Sequence, residues 1–372
     1  MTTTTTITTI ATPSVVADNT GVNRSAILKA VKTIVLENRP VPTINDDQVL
    51  VKVMSTGICG SDIYHYNNPD APHGMVLGHE SAGQITQVGA NVKMRHVGQK
   101  VAIEPGFLCK SCEFCRKGNS HVCANIRYAG NDGTDGTMSM WFACEPDMAV
   151  PMPDHISWEV AGCVQPVAIS VQVARQAGIR PHQTLAVFGC GPLGLITMAV
   201  AKSYGVFKII AFDIEPARVA FAKTYSADEA YTVPRDYGGK GSFQFANEFV
   251  KTILAEQGLI YGVDVSIDAT GAEVCMQMAV IITKPHGTYL QAGFGKALTL
   301  MPMGLMAAKS ISIKGTVRYG PGTFEDAIDL LAREKIDIAP LITATYPLSK
   351  MQDAIAAQIA REGIKIVLMN QE

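Results

Sequence analysis

Cys109, Cys112, Cys115 and Cys123, in CKSCEFCRKGNSHVC, place four of the chain's nine cysteines within fifteen residues. Gaps of two, two and seven residues let thiolates converge on one ion, and Zn(II) takes four sulfurs in a closed tetrahedron. A redox CxxC pair and an iron–sulfur cluster also use closely spaced thiolates. Four cysteines exceed what a redox pair needs, and no second cluster motif or paired proline follows Cys123. The expectation is therefore a structural zinc. A closed shell leaves no coordination position for substrate, so the chemistry must lie elsewhere.

A second set of metal-ligating types is split along the chain. GICGSDIYHY (57–66) contains Cys59, and MVLGHESAGQITQVGANV (75–92) contains His79 and Glu80. Taken singly, a Cys beside Gly reads as packing, and a lone His as a satisfied core or surface group. The surroundings raise their weight: Gly78, Gly83, Gly89 and Gly98 punctuate a stretch of strand formers, where glycine lets backbone turn or approach closely.

A third constellation suits a dinucleotide. In TLAVFGCGPLGLITMAVAKSYG (184–205), Gly189, Gly191, Pro192, Leu193 and Gly194 form a GxGxxG turn between an apolar strand at 185–188 and an apolar helix. KIIAFD (208–213) then supplies a second strand ending in Asp213. In such a βαβ unit the glycines admit a pyrophosphate to the helix amino terminus, and the acidic residue binds the ribose hydroxyls. Asp213 would repel a 2′-phosphate, so the expected cofactor is NAD rather than NADP. Arg218, five residues on, reads by itself as a solvated helix residue, and a part in framing the adenosine ribose comes only with a family resemblance.

The elements that must position these groups follow from length and pattern. A chain of 372 residues suggests two domains. The β-rich runs EAYTV, GVDVSIDAT, GTYLQAG and SISIKG alternate with helix-like segments such as GAEVCMQMAVII, as in a doubly wound α/β fold. Residues 181–201 carry no Asp, Glu, Lys or Arg, a length that raises a membrane span; the glycine turn within it is the better explanation, and no membrane association is expected. Formal charge is −2 with a pI near 6.5 and no run of Lys or Arg, so nucleic acid is not an expected partner. Residues 1–21, MTTTTTITTIATPSVVADNTG, have neither a basic n-region nor an apolar h-region, and 1–25 are expected to be a disordered Thr-rich tail on a cytoplasmic protein.

GHESAGQITQVGANV, GICGSD and the four-cysteine loop together resemble the zinc-dependent medium-chain dehydrogenases, from about residue 26 to the end. VAIEPG (101–106) and GTVRYGPG (315–322) are most similar to the polyol branch, the sorbitol, xylitol and arabinitol dehydrogenases. The resemblance implies a Rossmann doubly wound parallel sheet at 171–305, inserted in a mainly-β GroES-like catalytic domain at 26–170 and 306–372. It also implies that Cys59, His79 and Glu80 hold a catalytic zinc with one open position, consistent with three protein ligands plus an exchangeable site. A sugar alcohol would be oxidised to a ketose with hydride transfer to NAD, Ser61 would take the hydroxyl proton, and the assembly would be a homotetramer.

Two positions depart from the branch. Where it commonly has His three residues after the serine, this chain has Tyr64, with His65 next; a tyrosine of ordinary pKa near 10 carries protons poorly at neutral pH. Where the branch has Glu before Pro, this chain has Gln165 before Pro166, in a run that still reads as a helix start. Arg318 and Tyr319 are the expected polyol-binding residues, with Tyr66 and Tyr128 as pocket walls. The alternatives are a zinc alcohol or threonine dehydrogenase of the same architecture, and a zinc-stabilised protein without turnover.

Overall fold

The computed structural model describes residues 21–371. Most of the expected tail lies outside them, but its last residues are not a tail. Val22–Ala30 pairs antiparallel with Thr33–Pro40. Asn23 ties this strand inward, because its side chain accepts from the Trp141 amide at 2.9 Å and donates to the Trp141 carbonyl at 3.2 Å.

Six strands form an all-parallel sheet in the order Glu229–Thr232, Lys208–Asp213, Thr184–Phe188, Val263–Asp268, Thr283–Gln291, Ser312–Gly315. Numbered from Thr184–Phe188 this is 3-2-1-4-5-6, the order of dinucleotide-binding folds, whose crevice opens beside the first strand. The sheet corrects the boundary expected at 305: Ser312–Gly315 pairs with Thr283–Gln291 and supplies the sixth strand. The boundary at 170/171 likewise falls inside one helix, Val164–Ala177, which packs on both units.

The other unit is built on seven strands. Ile342–Pro347, Lys365–Met369, Val49–Gly57, Glu80–Val88, Lys100–Ile103 and Ala149–Pro151 pair in that order, with Trp141–Cys144 also on Val49–Gly57. Two of these strands come from the carboxyl end of the chain, so the unit closes only after the parallel sheet has been inserted. Its inward faces are aliphatic, with Val49, Val51, Val53, Ile85, Val101 and Ile103 fully buried. The uncharged run 181–201 divides into the strand Thr184–Phe188 and the helix Pro192–Ser203. Among the described residues no helix is long and apolar enough to cross a membrane.

Candidate active site

The four cysteines of the loop have their sulfurs within 4.8 Å of one another. Cys123 Sγ is 3.4 Å from Cys109 Sγ and 4.0 Å from Cys112 Sγ. These separations bracket the ~3.8 Å edge of a tetrahedron with metal–sulfur bonds of ~2.3 Å, and they are far longer than a disulfide. Backbone amides prepare the thiolates: the amides of Ser111 and Cys112 hold the Cys109 thiol down at about 5. The Cys112 thiol is lowered by the amides of Cys115 and Ala124. Residue types and spacing therefore fit a structural zinc.

Cys59, His79 and Glu80 also bring one ligand atom each within 4.8 Å of the others. Cys59 stands at the N-cap of the helix Gly60–Asn67; His79 and Glu80 stand at the entry to the strand Glu80–Val88. His79 and Glu80 are buried, Cys59 is partly exposed and Ser61 is exposed, so the cluster opens toward Ser61. Ser61 Oγ lies 3.4 Å from His79 Nε2. Three ligands with one accessible side fit a catalytic zinc.

Two groups that sequence reasoning missed hold these ligands. Asp62 is fully buried and accepts from the amides of Cys59 at 2.8 Å and Gly78 at 3.1 Å, while its carboxylate faces His79 Nδ1 at 3.7 Å. That leaves Nε2 directed to the open side, the usual division of labour for a ligating histidine. Burial pushes the Asp62 carboxyl up, against the pull of His79 and the two amides. For His79, burial opposes the charged ring, but Asp62, Cys59 and Glu80 outweigh it and raise its pKa to about 9 without metal. Lys365, also buried, bonds to Glu80 Oε2 and donates to the Ile58 carbonyl at 2.8 Å. Burial alone would lower the lysine's pKa; Glu80, Cys163 and Cys59 reverse this, so its net direction is up. Gly57 makes room for the pair, since a Cβ there would sit 2.5 Å from Glu80 Oε2. The available signals are Asp62 three residues after Cys59 and a lone lysine in the apolar strand IKIVLM.

The departures and substrate candidates fall into one connected group. Gln165, buried in the first turn of Val164–Ala177, donates through Nε2 to Tyr128 Oη at 2.9 Å. Tyr128 Oη in turn meets Tyr319 Oη at 3.1 Å. The Tyr128 ring lies 5.7 Å from the His79 ring and carries the Arg318 guanidinium 5.4 Å from its centroid. Tyr319 is buried against Phe324, so it shapes the site through Tyr128. Tyr66 packs on the core beneath Val22–Ala30. Tyr64 is 65% exposed and extends no buried relay from Ser61.

On the nucleotide side the glycine turn takes the shape its pattern implies. Gly189 has φ +101°, and a Cβ on Gly194 would collide with the Gly189 carbonyl oxygen, so only glycine lets the helix start this close to the strand. Pro192 and Leu193 open the helix after Gly191, leaving the Leu193 and Gly194 amides without intrahelical partners and available to a phosphate. Asp213 is fixed by the amides of Cys190 at 2.7 Å and Glu215 at 2.9 Å. Arg218 Nη1 lies 3.9 Å from the position of a Cβ on Gly191, across the mouth of the turn. Turn and acidic residue together fit the adenosine half of NAD.

Comparison with known proteins gives matches along nearly the whole chain. Residues 45–154 match the alcohol dehydrogenase GroES-like domain and residues 192–333 the zinc-binding dehydrogenase domain. A probable D-xylulose reductase A of Aspergillus terreus is 34% identical over 94% of this chain and 99% of its own. Among solved structures, L-idonate 5-dehydrogenase of Escherichia coli aligns with a TM-score of 0.84 and 26% identity, covering 94% of this chain and 98% of that one. A short chain alcohol dehydrogenase of Escherichia coli CFT073, solved with NADH, aligns equally well, at TM-score 0.84 and 26% identity over 94% of this chain and 100% of that one.

Proposed function

Because the chain belongs to the zinc-dependent medium-chain dehydrogenases, an oxidoreductase family using zinc and NAD, we propose that it oxidises a sugar alcohol of the xylitol, sorbitol or arabinitol type to a ketose. The observation that carries this reading is the convergence of Cys59, His79 and Glu80 on one open side, with Ser61 Oγ 3.4 Å from His79 Nε2. The D-xylulose reductase relative supports a polyol–ketose pair.

When bound, zinc supplies Lewis acidity that makes a substrate hydroxyl easier to deprotonate, and NAD supplies the hydride acceptor. The chain's own residues do the rest. Ser61, exposed at the open side, takes the hydroxyl proton and passes it outward. Asp62 fixes the His79 ring, and Lys365 fixes Glu80, so both ligands are in place before substrate arrives. Arg318 offers its fork of donors to the substrate's remaining hydroxyls from above the Tyr128 ring. Gln165 holds Tyr128 with a neutral amide, where a carboxylate would add negative charge behind the Tyr128 ring that faces His79. Asp213 selects NAD over NADP and Arg218 frames the ribose; Asp213→Ser should shift that preference toward NADP by about tenfold.

The same reading includes a homotetramer in the cytoplasm. Its support is the exposed edge strand Ser312–Gly315 and the exposed apolar residues Phe294, Leu298 and Leu300, surfaces that a second copy could cover. Sedimentation at micromolar concentration tests the assembly.

Steady-state rates with xylitol, sorbitol, arabinitol, galactitol, ribitol, ethanol and threonine, each with NAD and NADP, test the substrate class. A polyol with NAD should give the highest kcat/KM. A preference for ethanol or threonine would replace the polyol assignment. Two zincs per chain with no turnover on any alcohol would indicate a binding protein.

A further inference from the structure

The four-cysteine loop does more than close a lobe: we propose that it positions Arg318 and so sets polyol affinity. The loop hangs between two short strands, Gly106–Phe107 and Arg127–Tyr128, which pair antiparallel at its foot. Its last thiolate, Cys123, is tied to that foot by the Ile126 amide, which donates to the Cys123 carbonyl at 3.3 Å. Both ends of this unit reach the segment 318–320, nearly two hundred residues later in the chain. Near the cysteines, the His121 carbonyl, two residues before Cys123, accepts from Arg318 Nη1 at 3.2 Å. At the foot, Tyr128 carries the guanidinium on its ring and bonds to Tyr319 through its hydroxyl. Gln172 makes one further side-chain contact from the other side, its Oε1 accepting from the Gly320 amide at 3.2 Å.

Arg318 needs such support. Its φ of +52° lies in the left-handed region, which is unfavourable for a residue bearing a Cβ. The guanidinium has no carboxylate partner among the described residues, so the His121 carbonyl and the Tyr128 ring are the contacts that orient it. The His121 carbonyl is placed by the chain turn that brings Cys123 back to Cys109 and Cys112, through the Ser120–Val122 helical turn. Thiolates gathered on a metal hold that turn. Without the metal the turn is free to open, and Arg318 loses its hydrogen bond while the catalytic ligands Cys59, His79 and Glu80, on other elements, stay where they are.

The inference rests on Arg318 as a polyol-binding residue, and its test separates the two claims. In Cys112→Ser, zinc should fall by one per chain and the polyol KM should rise about tenfold, the size expected from losing a charge-assisted hydrogen bond. The KM for NAD and the kcat should stay within about twofold of wild type. Amide exchange should accelerate at 316–322 together with 109–128. Adding Arg318→Ala to Cys112→Ser should raise KM no further than Arg318→Ala alone, because both remove the same contact. A second arm uses the intact holoenzyme carrying Arg318→Ala. Coupling is reciprocal, so iodoacetamide labelling of the four loop cysteines in the presence of a chelator, read by peptide mass spectrometry, should run several-fold faster than in wild type. The proposal is overturned by a Cys112→Ser protein that has lost its zinc yet keeps wild-type polyol KM and exchange at 316–322, or by Arg318→Ala labelling at the wild-type rate. Faster labelling with an unchanged polyol KM would retain the mechanical link and remove Arg318 from the substrate site.

Discussion

Two clusters of metal-ligating side chains stand within one unit of this protein, and they are assembled in opposite ways. Cys109, Cys112, Cys115 and Cys123 come from fifteen consecutive residues, three of them partly exposed, and backbone amides lower the thiols of Cys109 and Cys112. Cys59, His79 and Glu80 come from a helix start and a strand entry, lie mostly buried, and depend on distant partners, Lys365 above all. A local loop with four equivalent thiolates saturates its ion and can only hold or position. A split site with mixed ligands and one exposed edge can exchange a ligand, which is what turnover requires. The contrast teaches that ligand count alone does not mark the catalytic metal; accessibility and the groups behind the ligands do.

The sharpest way to break the comparison is to remove one sulfur from each cluster. Cys59→Ser should lower polyol oxidation by about a thousandfold or more, since Lewis-acid assistance is worth several kcal/mol, while Tm changes little. Cys112→Ser should do the reverse, lowering Tm by several degrees because structural zinc contributes folding free energy, with kcat retained. Paired calorimetry and initial rates check both. A Cys112→Ser enzyme of unchanged Tm and no turnover would exchange the two assignments.

A smaller effect follows from Asp62. Since His79 titrates near 9 without metal, protons compete with zinc below that pH, and the zinc affinity of the metal-free triad should climb between pH 7 and about 9 before levelling. The same raised value means that His79 contributes stability to the metal-free fold below its ordinary pKa of 6.5, lost as pH rises through about 9. In Asp62→Asn the plateau should begin at lower pH, because the carboxylate that retains the proton is gone, and should lie about 10–100-fold lower in affinity. Competition with a calibrated chelator across pH reads both features. An Asp62→Asn profile that overlays the wild type would exclude Asp62 from the metal site.

These partners also mark where the sequence stops being legible. The glycine turn, the strand ending at Asp213 and the four-cysteine loop are readable because each is complete within a few dozen residues, and spacing alone encodes it. SISIKG already reads as one of the alternating strands, but the boundary that the resemblance implies at 305 leaves it out; its pairing with Thr283–Gln291 puts Ser312–Gly315 in the parallel sheet. Asn23 reads as part of a polar tail; only its contact with Trp141, 118 residues away, shows it acting as strand backbone. Lys365 and Glu80 are 285 residues apart, and no local pattern links them. Gln165 reads from sequence only as a neutral departure at a helix start; that its amide is taken by Tyr128, which passes the connection on through its ring and hydroxyl, is tertiary.

The smallest expected effect concerns that amide. Gln165→Glu sets a carboxylate against Tyr128, whose ring lies 5.7 Å from that of His79, and nearby negative charge disfavours a further anion. The alkaline rise of polyol oxidation should move to higher pH at constant zinc content, visible in rates from about pH 6 to 10, a range that brackets a zinc-bound ionisation. An unmoved or downward profile would show that residue 165 serves only to anchor Tyr128.

Metal-free protein titrated with Zn(II) under reducing conditions, with Tm and polyol-dependent NADH formation recorded on the same samples, tests the division between the clusters most directly. The first equivalent should fill the four-thiolate loop and raise Tm without turnover, and the second should restore turnover with little further change in Tm. Turnover that grows in proportion to Tm from the first equivalent would contradict it.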